Sequence, residues 1–435
     1  MMTEKILDLF AGVSGLSLGL ELFRDSKGKQ LFEVYKSVEI DKFACETLRN
    51  LHGEDKVIEG DLTSKEVHKK VIISCKGKVS IVVGGIPCQS FSLIGARSGD
   101  EKRKEKFKQD ARDNLYQEYF SIVKELEPKI IVIENVKGIL SKKDNSGKRI
   151  IDTLISDFEA IGYSFKYKSH DEKYRLVNSA DFGVPQKRER VIIIGINKKW
   201  KNALIPWIKR THKDPAEEIK KLKNHVNLFD AIGNLPPIQS KITSTGLSKK
   251  ESEEIKNKNS KIRSGSEEVI LKDSNVKSHL NKLSKSGKEF QKFILSKDKK
   301  IINHIARNHQ LRDIRLFKEM NQGETAGDFV VRSPEKAHKL IKYKMHSFKD
   351  KYRKQNYKMP CTTVFAHLQK DGNRFIHPSQ ARSITVREAA RIQSFPDSFE
   401  FKGPMSQKYK QIGNAVPPLL SKNYIAEALS QIIGN

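Results

Sequence analysis

The chain is short of cysteine, of acidic side chains and of long apolar runs. Its four cysteines are Cys45, Cys75, Cys88 and Cys361, and none forms a CxxC pair. This spacing points to neither a zinc site nor a disulfide framework. No apolar run approaches about 18 residues, the length a helix needs to span a bilayer. The start, MMTEKILDLF, lacks the basic-then-apolar order of a secretory signal. A soluble protein of a reducing cytoplasm is expected, with no membrane partner. The glycines after the first apolar run do not form GxGxxG, and no P-loop lysine follows. Neither a pyrophosphate nor a triphosphate ligand is favoured there. No internal repeat occurs.

The shortage of acids leaves a large positive charge. Lysine and arginine number 82 against 53 aspartate and glutamate, a net charge of +29. Such an excess suits a polyanion, because each cation placed on a phosphate releases a counterion. A lysine-rich solvated surface gives the same composition. At 435 residues the chain is long enough for two domains or one with a large insertion.

Up to about residue 200, short apolar runs alternate with amphipathic stretches. The runs are 6–10, 34–40, 79–83, 130–134 and 191–196, and the clearest helical stretches are 115–126 and 150–161. Continuous β-branched runs suit strands covered on both faces, so the expected class is α/β with a mostly parallel sheet. Residues 240–300 are rich in Lys, Ser, Glu and Asn, and read as surface loops or a loosely ordered insertion. Helical patterning returns at 311–320, 383–395 and 421–433.

Ligands of an open parallel sheet bind beyond the strands' carboxyl ends, so the residues there matter most. The first run opens into DLFAGVSGLSLGLE, where Gly12, Gly15 and Gly19 permit close backbone approach. Glu39 ends the second run and is suited to two ribose hydroxyls, while Asp41 suits a helix cap. Asp61 follows a third run. These acids suggest a nucleoside ligand. The fourth run leads into GGIPCQSFS, a cysteine on a proline-locked loop. Glu134 ends the fifth. Buried, it needs a partner or stays protonated; a cap or a rim acid is the lesser alternative. Arg188 and Arg190, two apart at the start of a strand, point to one face. Together they can hold a phosphate and a carbonyl oxygen, or form an edge charge pair.

With these residues in order the chain resembles the DNA (cytosine-5) methyltransferases of bacterial restriction-modification type. The resemblance rests on DLFAGVSG at 8–15, GGIPCQSFS at 84–92, ENV at 134–136 and QKRER at 186–190. RSITVREAARIQSFPDSF at 382–399 and QIGNAVPP at 411–418 complete the set. It implies a Rossmann-like S-adenosylmethionine-dependent catalytic domain over 1–225, a smaller target-recognition domain over 226–400, and a segment 401–435 packing back. Cys88, Glu134, Arg188 and Arg190 are then the catalytic residues, and no metal is required. Phe10, Gly12, Gly15, Glu39, Asp61 and Asn414 are the cofactor residues. Gln89, Ser90, Ser92, Gln186, Arg307 and Arg312 are expected to contact duplex DNA.

The middle segment adds further DNA candidates. His304, Asn308 and Arg315 join Arg307 and Arg312 in what reads as one helically spaced cluster, and could equally form a solvated face. Two positions depart from the family pattern. Ser14 replaces a usual glycine, a change tolerated if the residue keeps negative φ; Cys361 stands where Ser or Thr is common. A monomer is expected, with any restriction endonuclease acting separately. RNA, as in the family's tRNA-methylating branch, is disfavoured by the long basic middle region. A decayed relative is disfavoured because Cys88, Glu134 and Arg190 are all present.

Overall fold

Short β-branched runs become the strands of one sheet. A computed structural model describes residues 3–86, 115–144, 147–243, 249–342, 351–370 and 372–434. The chain divides into two compact units. The first comprises Met1–Phe182, Arg188–Thr211 and Ala415–Asn435, the second Gly183–Lys187 and His212–Asn414. The main segment of the second unit thus runs from His212 to Asn414, where the resemblance implied a target-recognition domain over 226–400. Residues 401–414 belong with the second unit.

The first unit is built on β1 (Glu4–Leu9), β2 (Phe32–Glu39), β3 (Val57–Glu59), β4 (Ile81–Gly85), β5 (Ile130–Val136), β6 (Tyr163–Ser164), β7 (Arg175–Asn178) and β8 (Glu189–Asn197). Their order is β3-β2-β1-β4-β5-β8-β6, with β7 also on β8. The first five strands run parallel, and β8 is antiparallel to β5. The sheet is buried on both faces, with Ile6, Leu7, Val82, Ile130 to Ile133 and Ile192 to Ile194 essentially inaccessible. That explains runs without polar alternation. The first unit's helices among the described residues include α1 (Gly15–Glu21), α2 (Lys42–His52), α3 (Lys65–Cys75), α4 (Leu115–Leu126) and α5 (Ile150–Ala160). Asp41 caps α2, accepting from the amides of Phe43 and Ala44 at 3.0 and 3.1 Å.

The chain reverses direction across the sheet between β1 and β4, the switch point where such folds place ligands. The C-terminal segment reinforces this place. A Cβ on Gly15 would lie 2.2 Å from the Val416 carbonyl oxygen, and one on Gly19 2.3 Å from that of Pro418. Ser421 Oγ donates to the Leu16 carbonyl. The two glycines, one helical turn apart, therefore form the groove that receives the tail.

The second unit corrects the reading of 240–300 as loops. Among its described residues this stretch holds helices Lys249–Ser260, Asp273–Asn281 and Lys285–Ile294 and strand Gly265–Ile270, which pairs antiparallel with Lys300–Ile305. Few apolar anchors suffice: Phe290 and Ile294 bury one face of the helix Lys285–Ile294, and Ser284 caps it at 3.1 Å. Compositional polarity hid that face.

Candidate active site

The loop after β1 is unusually wound. Phe10, Gly12 and Ser14 have φ of 56°, 56° and 65°, all left-handed. The condition of negative φ at Ser14 is thus not met. Ser14 bears the left-handed conformation, which costs an L-residue about 1–2 kcal/mol, and its buried hydroxyl is hydrogen-bonded on both sides. Among the described residues, a Cβ on Gly12 would meet nothing within 4 Å, which leaves room there. Glu39, at the end of β2, spans this gap. Its carboxylate accepts from the Gly12 amide at 2.7 Å and from the Ile40 and Asp41 amides at 2.9 and 2.8 Å. Burial raises its pKa and these amides oppose the rise. Gly15 faces the tail instead. Asp61 is exposed in the turn after β3, where its Oδ1 accepts from the Thr63 amide and hydroxyl at 2.9 and 2.8 Å.

The second cluster lies at the ends of β4, β5 and β8. Glu134 meets Arg190 through a 2.7 Å contact between Oε1 and Nε, with side chains 11% and 12% exposed. The acid ending an apolar run has its cationic partner. Burial lowers the Arg190 pKa, and Glu134 opposes that shift. The paired glycines before the cysteine motif gain a local meaning. A Cβ on Gly84 would crowd the Tyr119 ring at 2.9 Å, and one on Gly85 would approach Glu134 Oε2 at 3.2 Å. Gly84 thus accommodates α4, and Gly85 keeps the space beside the carboxylate.

Arg188 takes a different position from a surface phosphate ligand. It is 1% exposed and donates from Nη2 to the Ala415 carbonyl at 3.1 Å. Burial pushes its pKa well down, with Arg190 adding to the effect. Cys88, Gln89, Ser90 and Ser92 lie outside the described residues. The other three cysteines are buried, and burial pushes the Cys45 and Cys361 thiols up to about 12 and raises Cys75. None of these three is a ready thiolate.

In the second unit several expected DNA contacts are interior. Gln186 is inaccessible; its amide donates to Gln393 Oε1 at 2.5 Å and its oxygen accepts from the Val364 amide at 2.6 Å. His304 is also inaccessible, bonded to the Pro236 carbonyl at 2.9 Å and Thr385 Oγ1 at 3.2 Å. It belongs to strand Lys300–Ile305, so the 304–315 cluster has no common helical face; the helix begins at Leu311. Half-buried Arg307 stacks on Tyr409, its guanidinium 4.2 Å from the ring centroid. Arg312 is partly exposed, with Nη2 3.2 Å from Gln310 Oε1. Asn308 and Arg315 are exposed, as is Asn414, the last residue of helix Met405–Asn414.

Comparison with known proteins identifies the family. The family model for C-5 cytosine-specific DNA methylase matches residues 4–430. The chain belongs to that family. Type II methyltransferase M.Bpa9945I of Bacillus paralicheniformis is 32% identical over 82% of this chain and 71% of its own length. Type II methyltransferase M.DdeI of Desulfomicrobium norvegicum is 30% identical over 99% of this chain and 89% of its own. A crystal structure described as a DNA modification methyltransferase encoded within a prophage (E. coli) covers both chains completely, with TM-score 0.61 and 23% identity. That likeness extends the methylase fold to the whole chain.

Residue-by-residue reading of this methylase overlooked Asp8. It is 2% exposed within β1, and burial pushes its pKa up to about 7 despite a hydrogen bond from Ser17. The signal was present: a charged residue inside the apolar run ILDLF must have a buried partner or lose its proton.

Proposed function

We propose that this chain methylates C5 of a cytosine within a specific duplex DNA sequence, using S-adenosylmethionine and a covalent bond from Cys88 to C6. The observation that carries this reading is the Glu134–Arg190 pair, held at the ends of adjacent strands beside the strand that leads into residues 84–92. C5 of cytosine is a poor nucleophile because the ring is aromatic and electron-poor. A thiolate adding to C6 breaks the aromaticity and makes C5 enamine-like. Glu134 hydrogen-bonds N3 and the amino group as charge builds, and Arg190 holds O2. After methylation a base removes the C5 proton, the Cys88–C6 bond breaks, and aromaticity returns.

The cofactor site fits on two observations. Open room at Gly12 adjoins the Glu39 carboxylate, and that carboxylate suits a pair of ribose hydroxyls. Phe10, Gly12 and Glu39 would hold S-adenosylmethionine, with Asp61 at the adenine amino group and Asn414 at the amino-acid end. When bound, the cofactor supplies an electrophilic methyl group. A stacked base is out of reach of Cys88, so the target flips out of the duplex, and Gln89, Ser90 and Ser92 contact the distorted strand. The net charge of +29 supports a polyanionic substrate. The relatives' names support a role in a restriction-modification system, any endonuclease acting separately.

The test is a duplex carrying 5-fluorocytosine at the target position, with the target first mapped by bisulfite sequencing of a methylated plasmid. Fluorine does not leave as a cation, so the adduct should be trapped and should map to Cys88 by mass spectrometry. Cys88→Ser should bind S-adenosylmethionine but lose turnover. An adduct at another cysteine, or full activity of the serine variant, overturns the assignment.

A further inference from the structure

A buried polar chain runs behind the loop that carries Gly12. Ser17 Oγ donates to Asp8 Oδ2, Ser14 Oγ lies 2.5 Å from Ser17 Oγ, and Ser14 Oγ lies 3.0 Å from His52 Nε2. His52 Nδ1 is 3.7 Å from Glu21 Oε2, and Glu21 Oε1 accepts from the Val34 amide at 2.9 Å. Asp8, Ser14 and Ser17 are almost inaccessible, and the His52 side chain is 5% exposed. The chain thus joins β1, α1 and the last residue of α2. Those elements border the two halves of the cofactor site: Ser14 ends the loop with Gly12, and His52 ends the helix that follows Glu39.

Ser14 needs such a device because it holds a left-handed conformation that glycine adopts without strain. Its hydroxyl bridges Ser17 and His52, so the side chain that makes the conformation costly also supplies two bonds that hold it. His52 acts here as a neutral group. Burial pushes its pKa down to about 4, and Lys56 adds to this. The charged groups facing it are Glu21 from α1 and Lys56.

We propose that Ser14 and His52 are positioning residues for the cofactor, their contact locking the left-handed loop so that the Gly12 amide stays on Glu39. The inference rests on the reading that Gly12 and Glu39 hold S-adenosylmethionine. It assigns to Ser14 a purpose that a glycine there would not serve.

The experiment titrates S-adenosylmethionine into the full chain by calorimetry, with no DNA, for wild type, Ser14→Ala, His52→Leu and His52→Gln. Losing one buried partner should raise the dissociation constant about ten-fold in Ser14→Ala and His52→Leu. Glutamine places an amide where Nε2 stood, so His52→Gln should stay within about three-fold of wild type. In methylation assays the weakening should appear in KM for the cofactor more than in kcat. Thermal melting guards against unfolding. Should His52→Leu melt too low to assay, Ser14→Ala, which removes one oxygen, decides. Wild-type affinity in Ser14→Ala and His52→Leu overturns the inference, as does a His52→Gln as weak as the leucine variant. A wild-type chain that binds no S-adenosylmethionine instead overturns the cofactor reading itself, and the inference with it.

Discussion

Two regions of the molecule pair an acid with a guanidinium, and the pairs differ in how much of each group is left over. In the second unit Arg382 meets Glu388 through both Nη atoms at 2.7 Å, with side chains 0% and 1% exposed. The same carboxylate accepts from the Thr385 amide at 2.7 Å, closing a capping box on the helix Val386–Ile392. Arg391 and Asp397 form a second bidentate pair at 2.9 and 2.7 Å. In the first unit Glu134 Oε1 meets Arg190 Nε at 2.7 Å, Arg190 Nη1 donates to the Glu189 carbonyl at 2.6 Å, and both side chains stay about a tenth exposed. A nearly saturated pair can only hold elements together. A pair that keeps some exposure can offer its remaining lone pairs and N–H groups to another molecule. The paired residues within 382–399 therefore read as architecture, while the Glu134–Arg190 pair is the one that fits the proposed chemistry.

The sharpest way to break this contrast is to remove one acid from each pair. Glu388→Gln strands the buried Arg382 charge and should cost about 3–5 kcal/mol of stability, measured by urea unfolding. Burial alone would raise the Glu388 pKa, but Arg382 holds it well below the usual carboxylate range. This contribution is present above the ordinary carboxylate pKa and is lost only in strong acid. Near-wild-type stability of the variant would erase the structural role.

Glu134→Gln should do the reverse. Methylation should fall about 10²–10³-fold, the usual loss for one stabilising contact to developing charge. Stability should fall less than in Glu388→Gln, because these side chains keep 11% and 12% exposure against 0% and 1%. Parallel loss of stability and activity would make the two pairs alike.

Asp8 sharpens the comparison as a buried acid held by hydroxyls. Its pKa stands at about 7 in the folded chain against an ordinary 3.8. The folded state favours the protonated form, so stability is fullest below the ordinary value and declines as pH rises toward 7. The slope should approach about 1.4 kcal/mol per pH unit in that window and flatten above it. Asp8→Asn should reduce that slope in melting curves collected from pH 4 to 8; an unchanged slope would place the titration elsewhere.

The smallest effects separate two glycines. Gly15→Ala must displace the Val416 carbonyl and should cost about 2 kcal/mol. Gly12→Ala meets open space but keeps a left-handed φ, and should cost about 1 kcal/mol. Equal melting temperatures for the two variants would contradict the separate roles of tail groove and open loop.

Sequence by itself determined the class of fold and nominated the members of a chemical site. Strands buried on both faces must be continuous and β-branched, so β1, β2, β4, β5 and β8 were legible as runs. Glu39, Glu134 and Arg190 were legible because a charge ending such a run has to be accommodated. Only tertiary structure decided which charges are spent. Gln186, Arg188 and His304 look like surface ligands in one dimension, yet each is buried against segments distant in sequence or across a turn of chain. The same holds for Gly15, whose partner Val416 lies some four hundred residues away. Composition hid the helices of 249–294, since a polar helix needs only a few anchors and those anchors are recognised by what they touch. Local pattern reports the demand that a residue makes of its surroundings; which neighbour meets it is fixed by packing.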